Sequence, residues 1–100
     1  MVININEYIQ STVEVMFGDT VLHVYDLNTE LYKACLEPVD ELELQEIFTK
    51  QQELACQILN RNKEGRKIEL EELNEWPVKA IDAMLATMIA RARVAVNDPN

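Results

Sequence analysis

His23 is the only histidine of the chain, and an acid opposite it would make the simplest acid–base pair a sequence can offer. Glu14 takes that place if the runs Gln10 to Phe17 and Thr20 to Tyr25 pair through a two-residue turn at Gly18-Asp19. No further group joins them. There is no Ser or Cys nucleophile in a recognisable setting, no Gly-rich phosphate loop, and no cluster of His, Cys and Asp that would hold a catalytic metal. The pair is therefore expected to be an exposed cross-strand contact worth a few tenths of a kcal/mol to about 1 kcal/mol. The chain is expected not to be an enzyme and to need no cofactor.

A second spacing deserves a test against metal chemistry. Asn60, Asn62, Glu64, Gly65 and Glu71 fall at positions one, three, five, six and twelve of a calcium-binding loop. The match breaks on detail. The apolar residue that belongs two places after the glycine is displaced to Ile68, and positions one and three are neutral amides. Arg61, Lys63, Arg66 and Lys67 crowd the loop with positive charge. An ordinary helix–loop–helix turn with a glycine stop is the better reading. Cys35 and Cys56 lie inside expected helices without metal-ligand spacing, as small buried hydrophobes of a reducing compartment rather than a disulfide. Trp76, just before Pro77, is expected to plug a helix junction.

Composition narrows the class further. Hydrophobic content of 48% with 2 Gly and 3 Pro describes a folded chain. One hundred residues make one domain, 1–100. Such a domain buries only roughly 60–70% of its unfolded surface, so association of subunits is expected to matter. Eighteen acidic against nine basic residues give net charge −9, which argues against nucleic acid as a partner. Glu37, Asp40, Glu41, Glu43 and Glu46 form a base-free block at one helix start, and the basic cluster follows that helix's end, signs that the macrodipole favours. Met1 to Tyr8 has neither the basic region nor the apolar run of a signal peptide, and the uncharged run Ala83 to Ala90 is too short to span a bilayer. A soluble cytoplasmic protein without membrane partners is expected.

The elements that position these residues follow from periodicity. The hairpin, 10–25, has a type II′ loop with Gly first, pairing Phe17 with Thr20, Val15 with Leu22 and Val13 with Val24. Val13, Val15, Leu22 and Val24 are then buried, while Glu14 faces His23 on the other side. Val2 to Ile5 alternates apolar residues with Asn, compatible with a third strand or a lead-in. A helix over about 28–36 begins at Asn28 or Asp26, turns Leu27, Leu31 and Ala34 or Cys35 inward, and stops at Pro38. Asp40 caps a long helix, 40–60, with Leu44, Ile47, Phe48, Gln51, Leu54, Ala55, Ile58 and Leu59 facing in. One or two turns over 69–75 precede a break before Pro77.

The last helix, 77–96, carries the strongest pattern. Val78, Ile81, Leu85, Met88, Ala92 and Ala95 recur at alternating three- and four-residue steps and widen into a stripe with Met84, Ile89 and Val96. Pro77 starts it, while Asn97 and Pro99 stop it. Its opposite side holds Ala80, Ala83, Ala86, Thr87, Ala90 and Val94, a smooth face where another backbone can approach, expected to serve self-association or client binding. The fold class is thus α+β, mainly α. A hairpin, with scope for a third strand, packs on three to four helices, the last one central.

The order of these features resembles a known family. The hairpin "VEVMFGDTVLHVYD", the acidic helix running into "CQILNRNKEGRKIELEELNE", and the ending "VNDPN" together are similar to the small tail assembly chaperones of siphophages and prophages of Gram-positive bacteria. The resemblance covers nearly the whole chain and rests most on "ILNRN", the following "G-R-K-I" and "EEL", and the terminal "NDPN"; none of these is a catalytic signature. It implies a non-enzymatic viral protein of the bacterial host cytoplasm that assembles with itself, some members being made also as a frameshifted longer form. The implied partner is the tape measure protein, kept soluble until tail tube subunits polymerise around it, with the tube protein a further partner. An acidic adaptor in many copies would cover the apolar stripes of such a long helical client. The competing class is a small acidic regulator or inhibitor that occupies a cationic surface of a host protein through the block Glu37 to Glu46. The near absence of acids from the last helix, where Asp82 stands alone before Asn97, favours assembly.

Overall fold

The hairpin sets the frame. In the computed structural model, which describes residues 1–93 and not the side chain of Phe17, β1 (Thr12–Phe17) and β2 (Thr20–Tyr25) are antiparallel. Their register pairs Val13 with Val24, Glu14 with His23, Val15 with Leu22 and Phe17 with Thr20, as the two-face partition requires. Gly18 has φ +62° and Asp19 does not have positive φ, the combination of a type II′ turn. Leu22 and Val24 are fully buried, whereas Val13 and Val15 are only half-buried, short of the expected burial. The reason is topological: β1 is an edge strand with no neighbour on its outer side among the described residues, so one flank of each valine stays open.

Val2 to Ile5 does not add a strand. Asn4 Oδ1 instead accepts a hydrogen bond from Asn6 N–H at 3.1 Å and starts a short helix, α1 (Ile5–Ile9), none of whose residues is buried. The third layer beside β2 comes from far along the chain. Tyr25 N–H donates to Arg61 C=O at 2.9 Å and Lys63 N–H donates to His23 C=O at 2.9 Å, so residues 61–63 occupy the edge that a third strand would need.

Helix α2 (Thr29–Cys35) is capped by Asn28, whose Oδ1 accepts from Leu31 N–H at 2.8 Å. Asp26, the other capping candidate, serves the hairpin base instead. Helix α3 (Leu44–Leu59) starts at Glu43 rather than at Asp40. Glu46, three residues on, accepts from Glu43 N–H at 3.3 Å, which fixes the start there and leaves Asp40 in the preceding turn. Burial along α3 begins only at Leu54 and continues through Ala55, Ile58 and Leu59. Leu44 and Phe48, expected to face inward, are 66% and 43% exposed. They stand four residues apart and so share one face of the first turns, which is left open to solvent.

A 3-10 helix (Leu70–Glu75) buries Leu73, and the chain then extends through Trp76 and Pro77 at ψ 141° and 145°, the expected break. Helix α4 (Val78–Arg91) follows, with Ile81, Leu85 and Met88 buried along its stripe. Val78, the expected first stripe position, is exposed, whereas Trp76 packs against the core. Ala95, Val96, Asn97 and Pro99 lie outside the described residues. The α4 stripe meets α2 and α3, while α3 also reaches β2 and the 3-10 helix, so the two helices share the centre. Arg91 ties α4 to the hairpin base: its Nε donates to Asp26 Oδ1 at 2.9 Å, and one terminal nitrogen donates to Thr12 C=O at 3.3 Å.

Candidate interaction site

Residues of the loop after α3 spend their polar groups on the loop itself. Asn62 is buried, and its Nδ2 donates to Leu59 C=O at 2.7 Å and Arg66 C=O at 2.8 Å, while Oδ1 accepts from Arg66 N–H at 2.9 Å. Asn60 bonds Ile68 in both directions, at 3.0 and 2.7 Å. Gly65 takes φ +71°, which permits the reversal. The amides that the calcium spacing would aim at a cation are thus turned onto backbone. Glu64, the third such residue, reaches back to the hairpin.

That reach gives His23 a closer partner than the cross-strand one. Glu64 Oε2 lies 2.7 Å from His23 Nδ1, and Oε1 accepts His23 backbone N–H at 2.9 Å. Glu14 is 3.7 Å from Nε2. A carboxylate only accepts, so Nδ1 carries the ring proton. The backbone and ring bonds from His23 hold the Glu64 carboxyl below its ordinary 4.5. A carboxyl whose pKa is lower folded than unfolded adds stability above the unfolded value, and that contribution disappears as pH falls through the folded one. Denaturant melts in acid should therefore show Glu64→Gln with a shallower loss of stability below about pH 4.5 than the parent; parallel curves would remove Glu64 from acid sensitivity. Sequence reading missed this contact, because 41 residues separate the partners and only the bridge between β2 and residues 61–63 aligns them.

Both thiols are free and half-buried, less enclosed than expected, and burial raises their pKa, so they stay protonated. Cys35 lines a cavity of about 320 Å³ between α2, α3 and α4, with Lys50 held at its rim by Glu37 at 3.1 Å.

The small-residue side of α4 is divided between two concave surfaces. Ala86 lines the cavity beside α3, whereas Ala83 and Thr87 line a groove of about 250 Å³ under β1 with Val13, Val15, Met84 and Met88. Ala83, Ala86, Thr87 and Ala90 are exposed, Ala80 is half-buried, and Val94 lies outside the described residues. Large apolar side chains also stay outside the core elsewhere: Val2, Ile3, Ile5, Tyr8 and Ile9 at the beginning of the chain, Met16 on β1, and Leu44 and Phe48 on α3. Among the described residues no helix is long and apolar enough to cross a membrane. Compared with models of protein families, with curated proteins and with solved structures, the chain matches none.

Proposed function

We propose that this chain is a non-enzymatic tail assembly chaperone of a siphophage or prophage of a Gram-positive bacterium, acting in the host cytoplasm. It binds the tape measure protein and keeps it soluble until tail tube subunits enclose it. One observation carries the reading: a protein of net charge −9 leaves large apolar side chains exposed on α1, β1 and the start of α3. Exposed apolar surface of that kind suits contact with an apolar client, and the surrounding acidity keeps the complex dispersed. The sequence resemblance adds the identity of the client.

Co-expression with a tape measure fragment that is insoluble alone tests it. The fragment is expected in the soluble fraction, and still there at high salt, because apolar coverage survives screening. An acidic mimic of a cationic ligand behaves oppositely, losing its partner steeply as ionic strength rises. A client that stays insoluble, or a complex abolished by moderate salt, refutes the chaperone reading.

A further inference from the structure

We infer that the outer edge of β1 is a self-pairing interface, through which two copies of this chain join their hairpins into one four-stranded antiparallel sheet. The register assigns the edge its groups. Phe17, Val15 and Val13 exchange hydrogen bonds with β2, so the N–H and C=O of Thr12, Glu14 and Met16 point away from the hairpin. The same parity on β2 sends the groups of His23 and Tyr25 outward, where Glu64 and residues 61–63 take them up. Among the described residues, Thr12 C=O is the one outward group of β1 that is engaged, by Arg91. Glu14 and Met16 have no such partner among the described residues, and β1 carries no Pro, Lys, Gly or bulge of the kind that protects an edge.

Unpaired strand groups specify an extended backbone as their complement, and a second copy supplies it in one register. With the two-fold axis at Val15, Glu14 lies opposite Met16 of the other copy. Each such pair exchanges both bonds, which satisfies the donor and the acceptor of both residues on both copies. Centring the axis on Glu14 would set two carboxylates face to face and direct Met16 at Thr12, whose carbonyl is already used. In the Val15-centred register the half-buried Val13 and Val15, which line the groove with Ala83, Met84 and Thr87, gain apolar neighbours. This interface does not rest on the chaperone reading.

Sedimentation of the full chain over a range of concentration and salt, with amide exchange read at Glu14 and Met16, tests it. A monomer–dimer equilibrium is expected, strengthened by salt because each copy carries net −9. The two amides exchange fast when the chain is dilute and slowly when it is concentrated. Met16→Pro removes one outward N–H per copy, two of the bonds across the axis, and should weaken the dimer roughly 30-fold. Met16→Glu, which leaves the strand backbone intact but sets a second carboxylate opposite Glu14 of the other copy, should also shift the equilibrium to monomer. A monomer at every concentration, a dimer indifferent to both substitutions, or amides protected in the monomer would each overturn the proposal.

Discussion

Asn62→Ala is expected to lower stability by roughly 3–5 kcal/mol, a large part of the about 5–15 kcal/mol of a typical domain. The side chain makes three hydrogen bonds to backbone from a buried position between the end of α3 and the return toward Ile68. Removing it leaves Leu59 C=O, Arg66 C=O and Arg66 N–H to find other partners, and each unmade buried bond costs about 1–3 kcal/mol. The damage extends beyond the loop, because residues on either side of Asn62 form the edge against β2. Exchange at the Tyr25 and Lys63 amides should accelerate together. Asn62→Asp is the sharper comparison: it keeps the acceptor for Arg66 N–H but sets a carboxylate oxygen against two carbonyls. Denaturant titrations that find both variants within about 1 kcal/mol of the parent would show that the loop closes without this residue.

Leu85→Ala should cost roughly 2–5 kcal/mol, because it empties the middle of the buried stripe of α4 between Ile81 and Met88. Ala83→Glu is its control on the same helix. Ala83 is exposed at the groove under β1, so the variant should melt within about 1 kcal/mol of the parent while weakening whatever docks on that groove. The ranking is measured by thermal melts alongside sedimentation. Equal destabilisation by the two changes would mean that the groove is closed in solution and that Ala83 belongs to the core.

Patterns local in sequence were legible without coordinates. The alternation of residues 12–25 around Gly18-Asp19 fixes the hairpin register, since a slip by one would turn Leu22 and Val24 out of the core. The stripe Ile81, Leu85, Met88 and the proline break before it were likewise readable, because a helix face and a missing N–H act over a few residues. An apolar period, however, says only that a face exists, and whether anything covers it depends on where the other elements stop. Leu44 and Phe48 keep the period and stay exposed, as does Val78.

The contacts that give the molecule its surfaces join distant segments. Glu64 meets His23, Arg91 meets Asp26, and residues 61–63 take the strand edge that Val2 to Ile5 leaves empty. None of these pairings has a sequence period, since each depends on α3 returning the chain to β2 and on α4 ending beside the hairpin base. The small residues of α4 make the same point: one smooth face in sequence became the walls of two separate grooves, Ala83 and Thr87 lining the one bordered by β1 and Ala86 the one bordered by α3. The sequence by itself therefore determined the hairpin with its register, the main helices and the acidic character of the chain. Which apolar groups remain outside, and which strand edge is left open, was decided by tertiary structure, because only packing determines what each face and each backbone group meets.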